Sequence, residues 1–138
     1  MIAPPRAIAH PSYMGDQLQS KIVAVVDDDD SVRTAIQGLL KSVGLPARAY
    51  ASAEEFLHSG HQRQSACLIA DIRMPGMSGL ELQAKLNAEC CQIPTIFITA
   101  HGDQAMRLQA MRAGAVEFLS KPFDDEILID SVRAALER

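Results

Sequence analysis

Five short apolar runs alternate with stretches of helical periodicity from Lys21 to the end of the chain. The runs span residues 22–27, 46–50, 67–72, 95–99 and 115–120. Three of them are almost entirely apolar, which is typical of strands covered on both faces, as in a parallel sheet. Because strict alternation of strands and helices requires right-handed crossovers, the pattern predicts a three-layer α/β sandwich with five strands and five helices. The pattern alone does not reveal the strand order.

The stretches between the runs carry apolar residues at three- and four-residue spacing. In the first stretch these residues are Val32, Ala35, Ile36, Leu39, Leu40 and Val43. Ser31 is the predicted N-cap of this helix, and Gly44 lies just past its end. The segment SAEE at residues 52–55 matches a capping box at the start of a second helix. Three further helices are predicted over residues 79–89, 103–112 and 124–136.

The composition excludes several function classes. A chain of 138 residues with 48% hydrophobic residues is typical of one globular domain. The net charge of −4 argues against a nucleic-acid-binding surface, and the absence of Trp argues against a base-stacking platform. No apolar run approaches the roughly 20 residues that span a bilayer. We therefore expect neither a nucleic acid nor a membrane as a partner of this segment.

The N-terminal segment indicates the domain organisation of the chain, and the cysteines indicate its redox compartment. Residues 1–20 hold three of the seven prolines and show no sustained periodicity, so we predict a flexible tail before one domain at residues 21–138. The three cysteines, Cys67, Cys90 and Cys91, are odd in number and lack C-x-x-C spacing, which favours a reducing compartment over a disulfide framework or a metal site. A soluble, cytoplasmic protein is expected.

Chemically active residues stand at the ends of the predicted strands. Asp27 and Asp28 come at the end of the first run, Asp71 in the third, Thr99 in the fourth and Lys121 after the fifth. Ligands of open parallel sheets bind outside the carboxyl ends of the strands, so these residues should converge on one edge. Three close carboxylates cannot all stay ionised without a cation, and a hard ion such as Mg2+ prefers oxygen ligands. The sequence therefore predicts a Mg2+ site.

Such a site is suited to phosphoryl transfer. Mg2+ and Lys121 together balance the three carboxylates and would stabilise the charge of an incoming phosphoryl group. A carboxylate can itself act as the nucleophile, which gives an aspartyl phosphate. The competing interpretation of the aspartate run at residues 27–30 is a solvated loop without an ion. Its position after an apolar strand, with Asp71 and Lys121 at matching strand ends, argues against that interpretation.

Four segments carry this pattern in a fixed order across residues 21–137, namely VAVVDDDDSVR, LIADIRMPGMSGLEL, TIFITAHGD and AMRAGAVEFLSKPF. Their sequences, order and spacing resemble the successive signatures of the response-regulator receiver domain of bacterial two-component signalling. The last three segments most resemble its FixJ-like subgroup. Each segment is weak evidence alone, but the four together are specific. The resemblance implies a flavodoxin-like (βα)5 fold with a parallel sheet in the order 2-1-3-4-5.

The resemblance also implies roles for individual residues. Asp71, followed closely by the sequence MPG, matches the phosphoacceptor. Asp27 and Asp28 match the acidic pair that binds Mg2+, and Arg73 matches the position whose backbone carbonyl also binds it. Thr99 matches the hydroxyl that moves toward the phosphoryl group.

The fifth strand and the loop after it carry three further correspondences. Lys121 matches the ammonium that pairs with the phosphoryl group, and the Lys121–Pro122 bond resembles the family's cis peptide. Phe118 matches the switch aromatic that turns inward when Thr99 moves, although a core role explains a Phe in a buried strand equally well.

Four residues close in sequence to the predicted site residues are expected to have supporting roles. Arg73 and His101 stand two residues past the phosphoacceptor and the threonine, at positions that tune the lifetime of the phosphoryl group in the family. We expect His101 to modulate access of the attacking water. Asp29 and Asp30 should lie mostly in solvent at the start of the first helix, where negative charge meets the helix dipole.

The implied function is a phosphorylation switch that catalyses only its own aspartyl phosphorylation and dephosphorylation. A sensor histidine kinase would donate the phosphoryl group to Asp71, and the surface of the fourth helix and fifth strand would then change its partner preference. In the family this surface often mediates dimerisation. FixJ-like receivers usually precede a DNA-binding domain, which makes transcription regulation the expected output.

Two alternative functions and one alternative site share parts of this residue pattern. A pseudo-receiver that binds partners without being phosphorylated remains open, although the complete residue set argues against it. A haloacid-dehalogenase-like phosphatase needs a second Asp two residues after the nucleophile, where this chain has Arg73. The H-x-x-H spacing of His58 and His61 is better explained by a solvated loop than by a metal site.

Overall fold

Five parallel strands form one sheet in the computed structural model, which describes residues 21–100 and 104–137. The strands are β1 (Ile22–Val26), β2 (Ala47–Tyr50), β3 (Ser65–Asp71), β4 (Thr95–Thr99) and β5 (Glu117–Ser120). Their order is β2-β1-β3-β4-β5, and every neighbouring pair is parallel. The predicted fold and strand order are therefore confirmed. Each apolar run forms a strand, with ends shifted by at most two residues.

Five α-helices connect and follow the strands. They are α1 (Asp30–Ser42), α2 (Ala53–Ser59), α3 (Gly79–Ala88), α4 (Gln104–Arg112) and α5 (Asp125–Leu136). A short 3-10 helix, Gln62–Gln64, leads from α2 into β3. The predicted start of α4 at residue 103 lies outside the described residues. In the described part of the chain, no helix is long and apolar enough to cross a membrane.

The helices cover both faces of the sheet because successive strand residues point to opposite sides. On one face, α2, α3 and α4 pack on the strands through Phe56, Leu82, Leu86 and Ala110. On the other face, α1 and α5 pack through Ile36, Leu40, Leu128, Val132 and Ala135. Burial of each large apolar side chain contributes about 1.5–3 kcal/mol, so these two cores supply the main stabilisation of the three layers.

The start of α1 differs from the prediction. Asp29, not Ser31, is the N-cap, because the Asp29 carboxylate accepts hydrogen bonds from the backbone N–H groups of Ser31 and Val32. Asp30 is the first helical residue and pairs with the Arg33 guanidinium one turn later. Asp29 and Asp30, the second half of the aspartate run, therefore stabilise the start of α1. Both carboxylates are exposed there, as expected.

The predicted capping box at residues 52–55 forms only in part. The Ser52 hydroxyl accepts a hydrogen bond from Glu55 N at 3.0 Å, but the Glu55 carboxylate accepts from Ala51 N rather than from Ser52 N. A complete reciprocal box is found instead between Ser78 and Glu81 at the start of α3. The same residue spacing thus gives different partners where the chain enters the helix differently.

The three cysteines occupy dissimilar environments. Cys67 lies in β3 with no exposed surface, and this burial raises the pKa of its thiol to about 12. Cys90 is exposed and Cys91 buried just after α3, and all three are free thiols. A thiol at that pKa stays protonated and unreactive at neutral pH, so Cys67 acts as a core residue.

Candidate functional site

The apolar strand β1 delivers its following carboxylates to the carboxyl edge of the sheet. Asp27 is fully buried, whereas Asp28 is exposed. The Asp27 Oδ1 atom accepts a hydrogen bond from Asp29 N at 2.9 Å, and its backbone oxygen accepts one from Arg33 Nη1 at 2.7 Å. These contacts fix the turn between β1 and α1, so Asp27 is held in place before any ligand arrives.

Asp71 ends β3, which pairs directly with β1, and therefore stands beside Asp27. Its carboxylate is nearly buried and is held at both oxygens. The backbone N–H of Arg73 donates to Oδ1 at 3.1 Å, and Lys121 Nζ donates to Oδ2 at 2.9 Å. The same ammonium lies 3.0 Å from Asp27 Oδ2. Lys121 thus bridges two carboxylates that come from neighbouring strands.

The cluster of Asp27, Asp71 and Lys121 carries an excess of negative charge. Burial raises the pKa of the Asp27 carboxyl above its ordinary value, and the charge of Asp71 adds to that effect. Burial also acts to lower the pKa of Lys121, but the hydrogen bonds and charges of Asp71 and Asp27 outweigh it and leave the pKa raised. Lys121 is therefore charged at neutral pH, and one ammonium faces more than one carboxylate.

The cluster fits a small divalent cation. Among the described residues, Asp27, Asp28 and Asp71 form the one group of potential metal ligands, with one oxygen from each lying within 4.8 Å of the others. Opposite ligands of an octahedral Mg2+ lie about 4 Å apart, so a small adjustment would bring these oxygens onto one ion. Three carboxylates and Lys121 leave a surplus of two negative charges, which a divalent cation neutralises. The donor set consists of hard oxygen ligands, which Mg2+ prefers.

The remaining described residues of the predicted site belong to β4, β5 and the turn after β5. Thr99 ends β4 and is buried, and its backbone oxygen accepts a hydrogen bond from Lys121 N at 2.9 Å. The Lys121–Pro122 peptide bond is cis, as the resemblance implies. Phe118 is 6% exposed and packs in the core beside α4, so its ring is already directed inward. His101 lies outside the described residues.

Arg73 connects the end of β3 to α4. Its backbone N–H contacts Asp71, and its Nη2 atom lies 3.7 Å from the sulfur of Met106 in α4. The exposed guanidinium therefore spans the opening between the loop after β3 and the helix. Among the described residues, neither histidine of the H-x-x-H sequence belongs to the group of potential metal ligands. His58 belongs to the end of α2 rather than to a loop, and His61 contacts the Tyr50 hydroxyl at 2.8 Å.

Two residues that support the site were not identified from the sequence. Arg33 binds the backbone oxygen of Asp27 while it pairs with Asp30; the three-residue spacing of opposite charges in a helix was the available signal. Gly79 opens α3 where its backbone touches the end of β3. A Cβ atom at Gly79 would lie 2.4 Å from the backbone oxygen of Asp71. The sequence signal for this role was a glycine at the first position of a predicted helix, since glycine weakens helices.

The Gly79→Ala variant is expected to lose about 2 kcal/mol of unfolding free energy, because the added methyl group must push α3 away from Asp71. Gly38 in α1 has no atom within 4 Å of the corresponding position, so Gly38→Ala should gain about 0.5–1 kcal/mol. Urea unfolding followed by far-UV circular dichroism measures both. Equal stabilities of the two variants would show that the close approach at Gly79 relaxes without cost.

Comparison with known proteins places most of the chain in one family. The sequence model described as the response regulator receiver domain matches residues 23–133. The chain is 50% identical to Nodulation protein W of Bradyrhizobium diazoefficiens over 117 residues, which cover 85% of this chain and 52% of that protein. It is 46% identical to the transcriptional regulatory protein FixJ of Azorhizobium caulinodans, covering 87% of this chain and 57% of FixJ. The chain thus spans about half the length of these curated relatives.

Solved structures agree with that assignment. The crystal structure of FixJ-N has a TM-score of 0.78 and 40% sequence identity, and the match covers 86% of this chain and 94% of that one. The response regulator StyR has a TM-score of 0.79 and 48% identity, covering 85% of this chain and 59% of that one. The sequence and the fold therefore point to the same family.

Proposed function

The chain belongs to the response regulator receiver domain family, and we propose that Asp71 accepts a phosphoryl group from a histidine kinase in a Mg2+-dependent reaction. The observation that carries the proposal is the bridge of Lys121 between Asp27 and Asp71, at 3.0 and 2.9 Å. It joins a nucleophile, a metal-binding carboxylate and a cation at the carboxyl edge of the sheet. The modification would act as a switch and not as turnover of an external substrate.

Asp71 would be the nucleophile of the transfer. A carboxylate oxygen of Asp71 forms a bond to phosphorus while the bond from phosphorus to the donor histidine nitrogen breaks, and the electron pair of that bond stays on the ring nitrogen. Lys121 and the backbone N–H of Arg73 orient the two oxygens before the reaction. Positioning of this kind, together with electrostatic stabilisation, is the main contribution a protein makes to phosphoryl transfer.

Asp27, Asp28, Asp71 and the backbone carbonyl of Arg73 would hold the Mg2+ ion. When bound, the ion supplies positive charge that neutralises the phosphoryl oxygens. Lys121 is placed to pair with a phosphoryl oxygen on Asp71 once the group is attached, since its ammonium already contacts that carboxylate. Thr99, buried at the end of the neighbouring strand, would donate its hydroxyl to another phosphoryl oxygen. Arg73 and His101 would tune the lifetime of the phosphoryl group.

The response would reach the surface formed by α4 and β5. In α4, Ala110 is the one fully buried residue of those described, whereas Leu108 and Met111 are 49% and 38% exposed. A helix attached by so little apolar area is suited to reposition when Thr99 moves toward the phosphoryl group and the packing around Phe118 changes. The exposed side chains would then contribute to a phosphorylation-dependent homodimer. Relatives named transcriptional regulators suggest that the output is control of transcription.

Phosphoryl uptake from acetyl phosphate and phosphoramidate tests the proposal. The protein should gain one phosphoryl group by intact mass in the presence of Mg2+, and uptake should fall at least tenfold in EDTA, because the acidic cluster then lacks its cation. Calorimetric titration would establish separately that Mg2+ binds. Bound Mg2+ without uptake from either small donor would leave phosphorylation by a kinase alone, so a phosphorylated sensor histidine kinase is then supplied as the donor. Bound Mg2+ without uptake from that kinase as well would contradict the proposal and favour a pseudo-receiver that recognises partners without modification.

A further inference from the structure

Glu54 reaches from α2 to the loop that follows the phosphoacceptor. It stands in the first turn of α2, and its Oε2 atom accepts a hydrogen bond from the backbone N–H of Met77 at 2.8 Å. The two residues are 23 positions apart in the chain. The contact joins α2 to the second half of the segment between β3 and α3, residues 72–78.

The loop is shaped around this carboxylate. Gly76, directly before Met77, has a φ of +76°, a backbone conformation that residues with a Cβ atom rarely adopt. A Cβ atom at Gly76 would also lie 2.6 Å from Glu54 Oε2. The absence of a side chain at residue 76 therefore permits both the turn and the close approach of Glu54.

The Glu54 carboxylate binds the loop in its ionised form. The hydrogen bond from Met77 lowers the pKa of Glu54 below its ordinary value, which keeps the group charged at neutral pH. Hydrogen bonds that involve an ionised partner are about twice as strong as those between neutral groups. The neighbouring Glu55 is used differently, since its carboxylate accepts from Ala51 N within the entry to α2.

The same loop contains the backbone that completes the proposed metal site. It begins directly after Asp71, and Arg73 N contacts Asp71 Oδ1. Gly79, the first residue of α3, donates its backbone N–H to the backbone oxygen of Ile72, the first residue of the loop, at 2.8 Å. The two ends of the loop are thus joined beside Asp71, and the Glu54–Met77 hydrogen bond connects the second half of the loop to α2.

We infer that Glu54 is a positioning residue for the phosphoacceptor loop, because it holds the Met77 amide and thereby sets the Arg73 backbone for Mg2+ binding. This role rests on the proposed function. Glu54 touches neither the metal ligands nor the reacting atoms. It acts through about four residues of backbone, as groups that orient metal ligands do in other proteins.

Three variants test this role by Mg2+ titration calorimetry and by hydrogen exchange of the Met77 amide. Glu54→Ala should weaken Mg2+ affinity about tenfold, the lower end of the loss seen when a ligand-orienting partner is removed. The Met77 amide should also exchange faster. Glu54→Gln keeps an acceptor oxygen, so it should restore affinity to within about threefold of the unsubstituted protein. Glu55→Ala is the matched control in the same helical turn and should leave Mg2+ affinity unchanged.

Two results would overturn the inference. One is unchanged Mg2+ affinity in Glu54→Ala although the Met77 amide exchanges faster, since the loop would then be loosened without effect on the site. The other is an equal loss of affinity in Glu55→Ala, which would trace the effect to α2 stability. A protein that binds Mg2+ but never takes up phosphate, and still loses Mg2+ affinity in Glu54→Ala, would retain the positioning role while the proposed function fails.

Discussion

The Asp71→Asn variant is expected to take up no phosphoryl group from acetyl phosphate, under conditions where the unsubstituted protein takes up one per chain. An amide in place of the carboxylate lacks the ionised oxygen that must attack phosphorus, so the loss should be complete rather than gradual. The amide has nearly the same shape and volume as the carboxylate, and far-UV circular dichroism should show that the fold is retained. Intact mass after incubation with Mg2+ measures the outcome.

Two control variants in the aspartate run at residues 27–30 distinguish loss of the nucleophile in Asp71→Asn from a general loss of negative charge. Asp29 caps α1 and its carboxylate contacts backbone N–H groups only of that helix. Asparagine caps helices as well as aspartate, so Asp29→Asn should take up one phosphoryl group as before. Asp28→Asn removes a proposed metal ligand and should slow uptake at least tenfold at low Mg2+. Uptake by Asp71→Asn equal to that of Asp29→Asn would place the acceptor elsewhere.

Asp27→Asn is expected to stabilise the metal-free protein by about 1 kcal/mol, within the usual range for single substitutions. Asp27 is fully buried beside Asp71, and the pair shares one ammonium, Lys121. Burial raises the pKa of Asp27, so the folded state disfavours its charged form. An uncharged amide removes that penalty. Urea unfolding in EDTA, followed by circular dichroism, measures the difference from the unsubstituted protein.

The sign of the pH dependence follows from the raised pKa. Because folded Asp27 binds its proton more tightly than the unfolded chain does, its ionisation removes stability as pH rises from the ordinary aspartate pKa through the raised one. The stability advantage of Asp27→Asn should therefore be largest at neutral pH and vanish in acid. A constant advantage at every pH would show that a packing change, and not ionisation, causes it.

Mg2+ should reverse the order of stability. An ion bound only by the folded state adds about 2.7 kcal/mol when its concentration is a hundred times the dissociation constant. The unsubstituted protein should gain this stabilisation, whereas Asp27→Asn lacks a ligand and should gain much less. The Asp29→Asn variant retains all three ligands and should respond as the unsubstituted protein does. A metal-free Asp27→Asn protein that is less stable would mean that the Lys121–Asp27 pair outweighs the cost of burial.

Local periodicity and strand ends predicted most of the architecture and the central residues of the site. Short apolar runs identify the strands, and helical spacing identifies the segments between them, because each depends only on which neighbouring residues are apolar. The carboxyl ends then follow directly, and with them Asp27, Asp71 and Lys121. The helix caps were predicted less well. Whether Asp29 or Ser31 caps α1 depends on the φ and ψ angles at the end of β1, which composition does not specify.

The strand order and the contacts between loops depend on the tertiary structure. Asp27 meets Asp71 because β1 lies between β2 and β3, an arrangement that the alternating pattern permits but does not require without the family resemblance. The contacts of Glu54 with Met77 and of Gly79 with Asp71 join segments that approach only when α2 and α3 pack on the sheet.

The sequence by itself determined which residues stand at the strand ends and what chemistry they can perform, since both follow from side-chain type and local spacing. Only the tertiary structure decided which of these residues touch, how deeply Asp27 is buried and which backbone groups hold the loop after Asp71. The physical reason is that hydrogen bonds and burial act over a few ångströms in space. Residues far apart in the chain reach that range only after the helices and sheet have packed.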